Sequence, residues 1–322
     1  MSTTITDPVA VADPVAGPAA VSAPEGPAAG GAAADIAVII PHYDDPERLG
    51  TCLAALTGGG GTEGAEILVV DNDSPTPLGA LQAAYPQIRF VTEPLKGAAN
   101  ARNRGVAESR APILAFLDSD CVPAPGWIDA ARRAAGLADL VGGRVDLFDE
   151  TPGPRSGAQA FEAVFAFDNR RYIEEKGFSV TANLVTSRRV FADVGPFRDG
   201  LSEDADWCFR ATAGGYRLAY GPDLRVAHPS RRDWGALCRK WRRLTQEGFM
   251  LATTAPARPA ARLRWLLRGL AMPFSAALHL PRLIFSLRLG GLSERLRGAG
   301  ILIRLRFQRM VWMLRQAAGA RI

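Results

Sequence analysis

The chain has 322 residues, 48% hydrophobic and 22% charged, enough for one large domain or one domain with an appendage. That balance excludes a collagen, a small disulfide scaffold and a wholly disordered chain, and the lack of any run of about 18 apolar residues excludes a polytopic membrane protein. The formal charge of +5 conceals an asymmetry: residues 1–230 carry 19 basic against 30 acidic side chains, and residues 231–322 carry 19 against 3. An acidic body with a basic tail implies two surfaces with different partners. Cys52, Cys121, Cys208 and Cys238 lie far apart with no zinc or redox spacing, which suits a reducing compartment.

Residues 1–34 are mostly Ala, Pro, Gly and Val, without the basic start and unbroken apolar stretch of a secretory signal, and read as a disordered leader. Order begins at Ile36. The run Ile36–Ile40, stopped by Pro41, reads as a strand buried on both faces of a parallel sheet. Pro46–Leu56 has helical spacing of leucines and an early proline. A strand (67–70), a short helix (77–84), a strand (89–91), a helix (98–109) and a strand (113–117) follow. This alternation predicts an α/β fold with a doubly wound sheet and right-handed crossovers. Beyond Gly126 the rhythm loosens into a helix (127–135), a strand (140–145) and a Pro/Gly-rich connection (151–157). Short strands around two helices fill 183–228, and everything from Asp233 is helical and Arg-rich.

Ligands of open α/β sheets sit beyond the carboxyl ends of the strands. Those ends read Pro41-His42-Tyr43-Asp44, Asp71-Asn72-Asp73-Ser74 and Asp118-Ser119-Asp120. A bare D-x-D arises about once by chance in a chain of this size, so position decides its weight. Asp118 and Asp120 leave a buried strand on the same side. Two carboxylates so placed can hold a hard cation, Mg²⁺ or Mn²⁺, together with phosphate oxygens, which implies a diphosphate ligand. The competing reading is a solvated turn or helix cap.

Seven motifs stand in order: Ile39–Asp44, Val69–Ser74, Gly97–Gly105, Phe116–Asp120, Ala182–Val185, Val194–Phe197 and Glu203–Arg210. Together they resemble glycosyltransferase family 2, the inverting nucleotide-sugar transferases of GT-A fold, over about residues 36–230. The resemblance implies a mixed sheet of GT-A type. It implies a nucleoside held by Pro41, His42 and Tyr43 with Asp71 and Asn72, where Asn72 stands in place of the acid many members carry. It further implies that Arg102 faces the diphosphate, that Asp118 and Ser119 contact the nucleotide, and that Asp118 and Asp120 serve the metal, Asp120 directly. His228, after the strand Arg225–Ala227, would be a further metal ligand; a lone histidine there otherwise reads as structural.

Asp204 is the candidate general base, because inversion by direct displacement needs a carboxylate opposite the departing phosphate. On residues alone, Glu203-Asp204 at a helix start reads as a charged N-terminus. Asp206 points elsewhere around that helix and can pair with Arg210 four residues on. Asn183, Glu203 and Trp207 are expected near donor sugar or acceptor, although an aromatic on an amphipathic helix also reads as core. Trp127 reads as packing.

Residues 231–250 set six basic side chains around Trp234, Leu237, Trp241 and Leu244, an amphipathic cationic helix. Its continuation to Ile322 has no uncharged span longer than 269–281, too short and too Pro-interrupted to cross a bilayer about 30 Å thick. Ile303, Phe307, Met310 and Leu314 form one stripe, with Arg297, Arg304 and Arg315 elsewhere. Such a C-terminal basic amphipathic extension reads as lying on an anionic membrane, against dimer packing or a nucleic-acid surface, for which no fold motif is present. The expectation is therefore three segments: leader 1–34, transferase domain 35–230 and membrane-associating region 231–322. The protein would be cytoplasmic, on the inner face of the cell membrane, transferring sugar to a lipid-linked or polysaccharide acceptor in envelope or exopolysaccharide synthesis. A sugar-1-phosphate nucleotidylyltransferase and a catalytically degenerate membrane adaptor are the rival readings.

Overall fold

In a computed structural model, described for residues 34–200, 202–254 and 260–322, eight strands form one mixed sheet flanked by twelve helices. The leader lies outside the described residues apart from Ala34, as do residues 255–259. The first strand, β1 (Ile36–His42), pairs in parallel with β2 (Ala65–Asp71) on one side and β4 (Ile113–Leu117) on the other. Strand β3 (Arg89–Thr92) extends the parallel half beyond β2. The pairing of β1 with β4 ends at Ile39, so Pro41 occupies a stretch bonded on one side only. A proline is tolerated there, which is why the strand runs two residues past the predicted stop.

Beyond β4 the sheet turns antiparallel. β7 (Asn183–Ser187) pairs antiparallel with β4 and with β6 (Leu140–Phe148), β6 runs parallel to β8 (Leu218–Pro229), and β5 (Val122–Pro123) closes the edge. The order is β3-β2-β1-β4-β7-β6-β8-β5. Because β2 and β4 lie on opposite sides of β1, the strand order reverses beside it, and a crevice opens at the carboxyl ends of these strands.

Alternation along β1 divides the core. Ile36, Val38 and Ile40 face helices α1 (Pro46–Gly58) and α4 (Trp127–Ala134); Ala37 and Ile39 face α3 (Ala98–Glu108), α7 (Arg188–Val194) and α8 (Glu203–Ala213). The short helix α2 (Gly79–Ala84) joins β2 to β3. Helix α3 lies very close to the sheet: a Cβ on Gly105 would collide with Ile39 Cγ2.

Two helices between β6 and β7 were not predicted: α5 (Gly157–Phe165) and α6 (Asn169–Lys176). The chain after β8 forms α9 (Trp234–Thr254), α10 (Ala261–Leu270), α11 (Met272–Ile284) and α12 (Leu292–Ala317). Leu237 of α9 and Leu302 and Leu305 of α12 close over Ala158 and Phe161 of α5. The inward face of α12 is a different set from the stripe read as membrane-facing: Leu302, Leu305, Trp312 and Met313 are buried, whereas Ile303 and Phe307 of the stripe are exposed. Among the described residues, no helix is long and apolar enough to cross a membrane.

Candidate active site

The strand ends converge on a cavity of about 520 Å³. Pro41, His42, Tyr43 and Asn72 line one part, Arg102, Asp118, Ser119 and Asp120 the centre, and Glu203, Asp204 and His228 the remainder.

The β1 end is fixed by side chains that are themselves fully engaged. Asp45 donates its backbone N–H to His42 Nε2 at 3.1 Å, so Nδ1 carries the proton and donates to Asp71 Oδ1 at 2.9 Å. Asp71 also receives Ser74 Oγ–H. It is occupied in holding His42 and the turn, and is not among the residues lining the cavity. Asn72 lines the cavity, yet its amide donates to the carbonyls of Glu93 and Leu95 and accepts from Gly97 N–H at 2.7 Å. It shapes the loop that leads into α3. Tyr43 is 56% exposed at the rim, with Lys96 Nζ 4.7 Å from its ring centre.

Arg102 is the buried centre of the charge arrangement. Its Nη2 donates to Asp118 Oδ1 at 2.6 Å and its Nη1 to Glu203 Oε1 at 3.0 Å, bridging the end of β4 to the start of α8. Burial opposes its charge, and the two carboxylates more than offset that, so its pKa is raised. Its Nε is buried without a partner, a free donor in a site lined by acids.

Asp204 follows Glu203 on the first turn of α8. Its Oδ1 accepts from Ser202 Oγ–H at 3.1 Å and from Ala205 N–H at 2.8 Å. Burial and the adjacent Glu203 charge push its pKa up to about 6. Asp206 turns away into ion pairs with Arg210 at 2.9 Å and Arg198 at 3.6 Å.

His228 stands at the end of β8. Its Nε2 lies 3.3 Å from Asp120 Oδ2. Burial lowers the pKa of His228 despite the neighbouring Asp120; burial raises that of Asp120, with the charge of Asp118 added. Phe167 packs on the His228 ring at 4.4 Å between centres.

Besides Asp71, two predicted residues lie outside the cavity lining. Asn183 is fully buried: its amide donates to the carbonyls of Arg144 and Leu224 and accepts from Trp127 Nε1–H at 3.0 Å. It is a clip joining β7, β6, β8 and α4, with no polar atom left for a ligand. Trp207 is also fully buried, donating to Gly195 O at 2.9 Å and packed on Phe191 and Phe197. It cannot stack on a sugar.

The cavity also contains residues the sequence reading missed. Phe161, Phe165 and Phe167 border it from α5 and the turn after it, and Tyr172 and Lys176 from α6. Glu162, 1% exposed on α5, accepts from Lys240 Nζ at 2.9 Å and Arg231 Nη1 at 3.1 Å. Burial alone would raise its pKa, but the two cations bring it below the usual value; burial pushes Lys240 down to about 8. Lys240, Trp241, Arg243 and Leu244 make α9 a wall of the cavity, although the sequence placed it in the tail.

A mixed sheet with carboxylates at its switch point, faced by a helix that begins with two more, defines a nucleotide-sugar transferase of GT-A architecture. The comparisons place the chain within that class. The sequence model for "Glycosyl transferase family 2" matches residues 37–195. Glycosyltransferase AglE of Haloferax volcanii is 32% identical over 247 residues, covering 73% of this chain and 80% of that one. The pre-mycofactocin glycosyltransferase of Mycobacterium tuberculosis is 29% identical over 222 residues, spanning 65% of this chain and 46% of the relative. Among solved structures, the mannosyltransferase PcManGT of Pyrobaculum calidifontis superposes with a TM-score of 0.55 at 18% identity, covering 89% of this chain and 87% of that one. The chain belongs to glycosyltransferase family 2. It is an enzyme that transfers a sugar from a nucleotide-diphosphate donor, which sets aside the nucleotidylyltransferase and adaptor readings.

Proposed function

We propose that the chain is a metal-dependent, inverting glycosyltransferase that moves a sugar onto a hydroxyl of a lipid-linked or polysaccharide acceptor. The observation that carries this reading is Asp204, a carboxylate with a pKa of about 6, lining the same cavity as Asp118 and Asp120.

The metal reading rests on the donor set. No group of three or more His, Cys, Asp or Glu side chains forms a metal cage among the described residues. A Mg²⁺ or Mn²⁺ site that borrows phosphate oxygens needs only one or two protein carboxylates, so Asp120 and His228, beside Asp118, fit. When bound, the cation supplies charge neutralisation for the leaving diphosphate. Around it, Arg102 offers its unpaired Nε to an anionic ligand and positions Asp118 and Glu203. Lys240 and Arg231 add positive charge beside His228. Tyr43 offers an exposed ring on which a base can stack.

Asp204 takes the proton of the acceptor hydroxyl. The acceptor oxygen forms the new bond to the anomeric carbon, and the bond to phosphate breaks, its electron pair leaving with the nucleoside diphosphate. A base with a pKa near 6 is mostly ionised at neutral pH yet basic enough to accept that proton. Acceptor binding falls to the aromatic wall of Phe161, Phe165, Phe167 and Trp241.

Membrane association is supported by the outer face of the C-terminal helices. Phe274, Leu278 and Phe285 are each more than three-quarters exposed, and Leu287 is 99% exposed. Exposed aromatics and leucines among arginines suit the interface of an anionic membrane, which supports the reading of an enzyme that works at the cytoplasmic face in envelope or exopolysaccharide synthesis.

The test is thermal-shift binding of UDP, TDP, GDP and CDP, with and without Mn²⁺, on wild type and Asp120→Ala. One nucleotide should stabilise the wild type by about 2.7 kcal/mol at a hundredfold excess over its Kd, only with metal and not in the variant. No shift with any nucleotide would reject the reading. Cosedimentation with anionic and neutral vesicles tests the membrane part.

A further inference from the structure

A second cavity, about 510 Å³, lies on the far side of the Ala166–Phe167 segment from the catalytic one; both residues line both cavities. Its lining brings together Arg144 of β6, Arg155 before α5, Arg170 of α6, Arg282 of α11 and Arg288 after α11. Only two acids, Asp146 and Asp168, line it. Four of the five arginines meet a carboxylate, Asp146, Asp149, Glu174 or Asp168, so the cavity keeps a small excess of positive charge and many guanidinium donors.

The guanidinium groups are only partly committed. Arg144 donates Nε to Asp146, Arg155 donates Nε to Asp149 at 2.7 Å and Nη1 to the Arg288 carbonyl, and Arg288 donates Nη1 to the Ala163 carbonyl. Arg170 pairs with Glu174 along its own helix, and Arg282 is 3.8 Å from Asp168. Each guanidinium carries five donors, so most remain for a ligand, and their fork geometry matches phosphate oxygens.

The cavity is not isolated from the apolar surface. Arg282 and Arg288 bracket the segment Leu283–Leu287, in which Phe285 and Leu287 point to solvent, 78% and 99% exposed. A cationic pocket with an apolar tip at its rim matches a molecule with an anionic head and an apolar chain.

We propose that this cavity is a second ligand site that takes the phosphate head of an amphiphile whose apolar part lies on Phe285 and Leu287. The assignment extends the lipid-linked acceptor reading above, and its chemistry is shared by an isoprenoid phosphate and by an anionic membrane lipid. The site lies beside the catalytic cavity and is separated from it by the Phe167 wall, a residue held in the left-handed region at φ 48°.

The test is calorimetric titration of the full chain with farnesyl diphosphate and with inorganic pyrophosphate, in wild type, R144Q/R282Q, F285S/L287S and D120A. Both substituted arginines are about half exposed, so the variants should fold, and an unchanged melting temperature checks this. Loss of charge-assisted hydrogen bonds worth about 1.5–3 kcal/mol should weaken farnesyl diphosphate at least about tenfold in R144Q/R282Q. F285S/L287S should weaken farnesyl diphosphate and leave pyrophosphate unchanged. D120A should change neither in the absence of metal. Equal binding of farnesyl diphosphate by wild type and R144Q/R282Q, or its loss in D120A alone, overturns the proposal. Vesicles of phosphatidylcholine with and without phosphatidic acid separate the sources. A preference for phosphatidic acid lost in R144Q/R282Q identifies a membrane headgroup; farnesyl diphosphate binding without that preference identifies an isoprenoid phosphate. Metal-dependent nucleotide binding, measured alongside, fails independently if the donor-site reading is the one in error.

Discussion

His228 donates from Nδ1 to the carbonyl of Pro229 at 2.7 Å, which turns its Nε2 lone pair toward Asp120 Oδ2, 3.3 Å away. Two acceptors face each other, so a proton or a cation must lie between them for the arrangement to be favourable. His228→Ala and Asp120→Ala should therefore abolish the Mn²⁺-dependent part of nucleotide stabilisation, and chelation should do the same to wild type. Isothermal titration with Mn²⁺ and nucleotide checks this. His228→Ala that keeps full metal dependence would leave the histidine a structural role alone.

Asp204→Asn should lower kcat by about 10²–10⁴-fold while leaving nucleotide affinity unchanged, as loss of a general base requires. In wild type, kcat/KM should rise with pH along a limb centred near 6, as the Asp204 carboxyl ionises. The stability linkage has the opposite direction. The carboxyl holds its proton more tightly folded, at about 6, than its ordinary 3.8, so its contribution to stability is greatest below 3.8 and is lost as pH rises toward 6. Denaturant midpoints for wild type and Asp204→Asn should converge in relative stability at low pH and separate, in favour of Asn, above it.

Arg102 is 4% exposed and bridges two carboxylates. Arg102→Met leaves both without their cation and should cost about 3 kcal/mol, the lower end for a broken buried pair because the acids retain some water contact. Arg102→Lys keeps the charge but cannot fork between Asp118 and Glu203, so it should recover part of the stability and little of the nucleotide affinity. Urea denaturation and nucleotide titration on the two variants separate these effects.

Asn183→Ala should act on folding, not on the substrate. It strands the Trp127 N–H and the carbonyls of Arg144 and Leu224, and each buried group left unpaired costs about 1–3 kcal/mol. The expected result is a lower melting temperature with unchanged KM for the donor at a temperature where the variant is folded. A raised KM without destabilisation would return Asn183 to the site.

Much of the sheet was legible, because Ile36–Ile40 and Ile113–Leu117 are short apolar runs that end at clustered polar groups. Helices α5 and α6 were missed although their signals are local. Ser156 and Gln159 form a capping box, Arg170–Glu174 and Arg171–Glu175 are i,i+4 pairs, and Gly177 ends α6 in the left-handed region. Glu162 and Lys240 are a different case. A charge on a helix reads as a solvated face, and only the packing of α5 against α9 turns the two into a buried pair. Asn183 and Trp207 were placed by resemblance. A polar group in an apolar strand serves equally well as a ligand contact or a buried clip, and hydrogen-bond partners decide which.

The wall contributed by α9 bears on how relatives of this enzyme can be recombined. The family match ends at residue 195, while Asp204, His228, Arg231 and Lys240 all come later and line the same cavity. A hybrid spliced between β8 and α9, where composition alone would draw the border, would give Glu162 to one parent and Lys240 to the other. The first parent's buried carboxylate would then face an unrelated helix. A crossover placed after Leu244 keeps both partners in one inheritance, and leaves the packing of Leu302 and Leu305 on Ala158 and Phe161 as the contact that the two parents must share.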